Sequence, residues 1–214
     1  MCGIFGIAST KSIKNKLYQG LIKLEYRGYD SSGISGSDDS SKLTTIKATG
    51  PIKNLRTKLK TLTKITTGIA HTRWATHGEP ILKNTHPHLS ENISVVHNGI
   101  IENHIELRSL LKKKNYTFKS DTDSETISHL IHMYYKKSKN METAIISTSK
   151  MLKGSYAIAC MNTNCPNTIF AACNGSPLII GKGKGENFIA SDLSLIHISE
   201  PTRRYAISYA VFCL

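Results

Sequence analysis

Three consecutive helical patterns stand in the middle of this chain with strand patterns on both sides, and that order restricts the folds open to it. Ile101, Ile105 and Leu110 mark the first helix. The second begins at "TDSE", where Thr122 and Glu125 have capping-box spacing, and runs through Ile127, Leu130, Ile131 and Tyr134. Ala144, Ile145 and Leu152 mark the third, with Gly154 as its C′ residue. Upstream, residues 2–8 read as a buried strand, and Ile13, Leu17, Leu21 and Leu24 recur at helical spacing over 11–25. "YRGYDSSGISGS" is a turn-rich segment leading into a short strand. Strands are predicted over 43–48, 66–72 and 93–97, and a helix over 55–62. Downstream, "SYAIACM", "TIFAAC", "PLIIG" and "NFIAS" are four closely spaced strands joined by Asn, Pro and Gly turns. Strands, then helices, then strands predict an α+β fold, with antiparallel sheets packed between helices.

Composition narrows the function classes. The chain's 214 residues can bury a proper core, as one domain rather than two. No stretch approaches the roughly 20 apolar residues needed to span a bilayer, and no secretory signal opens the chain. The cytoplasm is therefore the expected location, without a membrane partner. Cys2, Cys160, Cys165, Cys173 and Cys213 are odd in number and lack zinc-site spacing, so no disulfide framework is predicted. Cys160 and Cys173 lie in apolar runs, where a free thiol acts as a small hydrophobe. The net charge of +13 raises the question of nucleic acid. The lysines are scattered over helix faces, as in "LLKKKN" and "YYKKSK", with little aromatic interleaving; a solvated basic face is the better account, and no nucleic-acid partner is predicted.

Four islands are chemically dense: "MCGIFGI", "HTRWATHGEP", "VVHNGIIEN" and "SDTDSE". Removal of Met1 would place the thiol of Cys2 and a free α-amino group on the same carbon. That amine, with an ordinary pKa of about 7.7–8.0, could take the thiol proton. Asn98 and Gly99 suit an oxyanion hole, as a side-chain amide donor and a glycine whose N–H can be approached closely. Arg73 offers a planar fork for a carboxylate, and Asp123 a negative charge for an ammonium. Together these describe a site for an amino acid with a reactive side-chain carbonyl. Singly, each has a bland reading: "NG" as a hairpin turn, Arg73 beside Trp74 as a surface stacking pair, Asp123 as a helix cap. The residues alone support a candidate cysteine enzyme. The competing picture is a metal site built from His71, His77, His86, His88 and His97. No metal-ligand spacing surrounds them, and histidines lining a loop-built pocket are the preferred reading. A Cys–His protease is weaker still, because Cys2 is terminal.

In order along the chain, "MCGIFGI", "LEYRGYDSSGI", "GIAHTRWATHGEP", "HPH", "VVHNGIIENH", "YTFKSDTDSETI", "GSPLIIG" and "GENFIASD" resemble the glutaminase domains of the glutamine–fructose-6-phosphate aminotransferase (isomerizing) family. These are class II glutamine amidotransferases. The resemblance covers residues 1–192 and implies the fold of an N-terminal nucleophile hydrolase, a four-layer sandwich of two antiparallel sheets between helical layers. It implies Cys2 as the nucleophile that forms a thioester with glutamine, and Asn98 and Gly99 as the oxyanion hole. Arg73 and Asp123 match the residues that hold the α-carboxylate and α-amino groups of glutamine. Trp74, Thr76 and His77 match the loop that closes over it. No cofactor and no metal is implied. In such enzymes ammonia passes to a sugar-isomerase domain that converts fructose 6-phosphate to glucosamine 6-phosphate, and the full-length form is a homodimer. The alternative is the glutaminase domain of another class II enzyme, such as amidophosphoribosyltransferase.

The sugar-isomerase domain is absent here, and the glutaminase pattern stops near Asp192. Residues 193–203 resemble the translation of a sequencing adapter, so 193–214 is read as a non-native tail and the fold as truncated at its C-terminal end. Missing final strands would leave a sheet edge uncovered, and the tail is expected to pack poorly.

Overall fold

A computed structural model describes residues 2–38, 42–75, 78–192, 194–195, 203–206 and 209–213. Among these, the strands form two antiparallel sheets. The larger contains β1 (Gly3–Ser9), β2 (Ser31–Ser37), β3 (Leu43–Thr49), β4 (Thr67–Arg73), β9 (Ile179–Gly183), β10 (Glu186–Ala190) and β11 (Arg203–Ala206), in the spatial order β11-β9-β10-β1-β4-β2-β3. The smaller contains β5 (His88–Ser90), β6 (Ile93–Gly99), β7 (Tyr156–Asn162), β8 (Thr168–Asn174) and β12 (Tyr209–Cys213), in the order β12-β8-β7-β6-β5. Helix α1 (Lys14–Leu24) belongs with the larger sheet; α2 (His104–Lys112), α3 (Ser124–Ser138) and α4 (Met141–Met151) follow β6.

Three apolar layers bind these elements into a four-layer sandwich, as expected. Leu17, Leu21 and Leu24 of α1 pack on Phe5 and Ile7 of β1. The other face of β1 turns Ile4 and Ala8 toward Val96, Ala157 and Ala159 of the smaller sheet. That sheet's outer face, with Val95 and Ile158, packs on Leu107, Ile127, Leu130 and Ala144 of the three helices. Strand side chains alternate between faces, so a strand covered on both sides reads as a continuous apolar run. This is why "GIFGIA" has no polar positions.

Several local readings require correction. "SSGISGS" is a seven-residue strand buried along its whole length, although its serines and glycines read as turn. Gly33 explains the composition: a Cβ there would lie 2.1 Å from the His86 carbonyl oxygen, so the strand must be bare where the chain crosses it. The helix expected over 55–62 is a 3₁₀ helix at Ile52–Thr61. The inward face of α2 is Leu107 and Leu111; the helix starts at His104, so Ile101 precedes it while joining the same buried core, and Ile105 is 70% exposed. Thr122 does not cap α3. Its hydroxyl pairs with Ser120 Oγ and His88 Nε2, while Glu125 receives the N–H groups of Lys119 and Ser120. Gly154 takes φ +112°, but α4 already ends at the Leu152 cap. The sheet edges expected to stand bare are paired: the backbone of 203–206 runs antiparallel to β9 and that of 209–213 antiparallel to β8.

Candidate active site

The site sits where the start of β1 meets the ends of β4 and β6. In the β1–β4 ladder Gly3 faces Thr72, so Cys2 emerges beside Arg73 and Trp74. The Cys2 sulfur accepts the Trp74 N–H at 3.3 Å. From the second sheet, Asn98 at the end of β6 reaches across and donates Nδ2–H to the Cys2 carbonyl oxygen at 3.2 Å. Gly28 lets its own segment lie against the Arg73–Trp74 backbone; a Cβ there would lie 2.8 Å from the Arg73 carbonyl carbon.

Arg73 is buried at the end of β4, and its guanidinium donates to the carbonyl oxygens of Glu79 at 3.2 Å and Gly78 at 3.0 Å. Asp30 Oδ1 lies 3.9 Å from Arg73 Nη1, and Asp30 Oδ2 accepts the Ala75 N–H. Asp30 is thus the brace of this strand end. Asp123 is buried at the start of α3, where Oδ2 accepts the Ile101 N–H at 2.8 Å and Oδ1 accepts the Ser124 hydroxyl at 3.2 Å. Because that hydroxyl proton goes to the carboxylate, Ser124 Oγ must accept from His97 Nδ1 at 2.8 Å, which leaves Nε2 of a neutral His97 bare.

Cys2, Arg73, Trp74, Gly99 and Asp123 line one cavity of about 20 Å³, together with His86 and His97. That volume holds about one water molecule. Burial pushes the Cys2 thiol above its ordinary range, against the lowering pull of the Trp74 N–H. Burial also holds His71 down at about 3 and pushes His86 and His88 well below the usual imidazole range. The rings of His71 and His86 lie 4.1 Å apart and those of His86 and His88 4.6 Å apart, an arrangement that neutral rings tolerate. Among the described residues no group of three or more His, Cys, Asp or Glu is placed to hold a metal. No helix among them is long and apolar enough to cross a membrane.

Of the residues singled out in the sequence, Cys2, Arg73, Trp74, Asn98, Gly99 and Asp123 come together. Thr76 and His77 lie outside the described residues, as does Met1. Trp74 is 46% exposed and meets Tyr29 edge to face at 5.3 Å, rather than stacking on Arg73. Asp30 was not assigned a role from sequence, and His71 was weighed only with the other histidines, as a metal ligand or a pocket-lining residue, although "YRGYDS" and "AHTRW" contain them. A larger cavity of about 650 Å³, lined by Lys114, Tyr116, His132 and Lys136 among others, includes none of these candidate residues.

The family model of a glutamine amidotransferase domain matches residues 71–197, more than half of the chain. Glutamine–fructose-6-phosphate aminotransferase [isomerizing] of Wigglesworthia glossinidia brevipalpis is 52% identical over 94% of this chain and 34% of its own length. The protein of the same description from Buchnera aphidicola is 48% identical over 94% of this chain and 33% of its own length. The chain therefore spans about a third of the length of these curated relatives. Among solved structures, the glutamine phosphoribosylpyrophosphate amidotransferase of B. subtilis superposes with a TM-score of 0.81 at 28% identity, covering 97% of this chain and 45% of that one. A class-II glutamine aminotransferase domain protein from Silicibacter pomeroyi superposes at 0.64 with 15% identity, over 95% of this chain and 91% of its own, and shares the fold.

Proposed function

Because the chain belongs to the glutamine amidotransferase domain family, we propose that residues 1–192 form a glutaminase unit that releases ammonia from glutamine through an N-terminal cysteine. The observation that carries this reading is the convergence of Cys2, Arg73, Gly99 and Asp123 on one cavity, with Asn98 bonded to the Cys2 backbone. Glutamine has three features to be held: a carboxylate, an ammonium and a side-chain carboxamide. Arg73 meets the first, Asp123 the second, and the Cys2 sulfur the third.

Burial keeps the thiol protonated, so a base must take its proton at the moment of attack. The α-amino group of Cys2, freed by removal of Met1, is that base. Sulfur bonds to the carboxamide carbon, and the carbonyl oxygen becomes an anion stabilised by the second Nδ2 hydrogen of Asn98 and the Gly99 N–H. Collapse expels the nitrogen as ammonia, which leaves with the proton taken from the thiol. Water then adds to the thioester, freeing glutamate and restoring the thiol. Glutamine needs more room than the cavity gives, so Arg73 must exchange the Gly78 and Glu79 carbonyls for the substrate carboxylate on binding, with Trp74, Thr76 and His77 covering it.

The ammonia acceptor is a phosphorylated ketose handled by a sugar-isomerase domain outside this chain. The two relatives near 50% identity support that reading over the phosphoribosyl enzyme at 28%. The test is glutamate release from glutamine by the purified chain. Cys2→Ala should abolish turnover while leaving the thermal transition in place; unchanged turnover in that variant would remove the mechanism.

A further inference from the structure

His71 lies fully buried on β4, and its ring takes no direct part in the thioester chemistry. Its Nε2 stands 2.9 Å from the His97 carbonyl oxygen and 3.0 Å from Asn98 Oδ1. The orientation of the Asn98 amide follows from its other end. The Cys2 carbonyl oxygen can only accept, so the Asn98 atom 3.2 Å away must be Nδ2, and Oδ1 must face His71. Both atoms within reach of His71 Nε2 are then acceptors. That nitrogen must carry the proton and share it between them. The remaining ring nitrogen, Nδ1, is buried without a partner among the described residues, as a bare acceptor can be at modest cost; a proton there would be an unpaired buried donor beside the His86 ring.

Resting on the glutaminase reading, we propose that His71 is a positioning residue that locks the Asn98 amide with its NH₂ on the Cys2 side. A flipped amide would set Nδ2–H against Nε2–H of His71 and oxygen against the oxygen of Cys2. One Nδ2 hydrogen is spent on the Cys2 carbonyl, and the other is the oxyanion donor. The imidazole thus acts on the transition state through another residue, from inside the sheet. Its ordinary alternative is a buried histidine that merely fills space.

The two are separated by comparing the wild-type chain with His71→Phe, which keeps ring volume and loses the donor, and His71→Gln, whose amide N–H can reach the position of Nε2. Positioning predicts that His71→Phe lowers glutaminase kcat by about 10- to 100-fold at unchanged glutamine KM, less than the loss from deleting an oxyanion donor outright. Alkylation of Cys2 by iodoacetamide, which forms no oxyanion, should keep its rate. His71→Gln should recover kcat to within about threefold of wild type. Full kcat in His71→Phe, a change confined to KM, or a Gln variant no better than the Phe variant overturns the proposal. Should the variants fail to fold, ¹⁵N NMR of the imidazoles in the unsubstituted chain decides it. A neutral Nε2–H tautomer for His71 at pH 6 is expected, and an Nδ1–H tautomer or an imidazolium overturns it. A wild-type chain without turnover counts against the glutaminase reading instead, and the NMR result still decides the His71–Asn98 bond.

Discussion

At Gly99 the backbone takes φ +122°, and a Cβ would lie 2.0 Å from the Ser155 carbonyl oxygen. Both facts exclude a side chain, one by conformation and the other by space. Gly99→Ala should lower stability by about 1–3 kcal/mol, read from urea denaturation, because β6 must shift to relieve the contact. Arg73 behaves differently, since its proposed role is in binding. Arg73→Ala should raise the glutamine KM far more than it changes the rate of Cys2 alkylation; equal kinetics for variant and wild type would end the clamp assignment. Cys2, Arg73, Asn98, Gly99 and Asp123 could be singled out in the sequence because each carries a residue type that the proposed chemistry demands. Asp30 and His71 could not be assigned their roles there. Each acts by choosing hydrogen-bond partners far along the chain, Ala75 for one and Asn98 for the other, and no local pattern records that choice.

At the scale of elements, the start of α3 depends on Glu125 more than on a cap. Burial alone would raise its pKa, but the His129 ring 3.6 Å away and hydrogen bonds from the Lys119 and Ser120 N–H groups and the Ser120 hydroxyl outweigh it and hold the carboxyl at about 2. Glu125→Gln should therefore cost about 1.5–3 kcal/mol, the worth of a charge-assisted hydrogen bond, by urea denaturation at neutral pH. The folded pKa lies below the ordinary carboxylate value, so this contribution is complete above about pH 4.5 and disappears as pH falls toward 2. At α4, Asn140 Oδ1 accepts the Thr143 N–H at 2.8 Å. Asn140→Ala should lower stability by about 1 kcal/mol. The helices themselves were legible from 3.6-residue periodicity. Their caps were misassigned, because Thr122 and Glu125 have the spacing of a capping box while Ser120 and His88 claim the first side chain and the Lys119 and Ser120 N–H groups the second.

Across the whole molecule, His71, His86, His88 and His97 are buried with imidazole pKa values held down, in each case chiefly by burial. An unfolded chain would take up protons on them below about pH 6.5, whereas the folded chain does not. Stability must therefore fall as the solution is acidified from pH 7, each depressed histidine adding about 1.4 kcal/mol per pH unit between its unfolded and folded values. The urea midpoint should be flat just above pH 7 and drop steadily from pH 7 to pH 5, well before Glu125 begins to titrate. A midpoint constant over that range would mean that these rings are hydrated or paired in the folded chain.

The amino-acid sequence by itself determined the order of the elements and the type of most of them, the strand Ser31–Ser37 and the 3₁₀ helix Ile52–Thr61 apart, since helical and strand periodicities are local. It also determined the reactive residue types at the chain start, in "HTRW", in "HNG" and in "TDSE". Only the tertiary structure decided that Asn98 reaches Cys2 across 96 positions of chain, and that a buried imidazole orients its amide. The reason is physical. Periodicity shows which face of an element is apolar, but the sites of polar side chains are settled by which donors and acceptors remain unpaired once the sheets have packed.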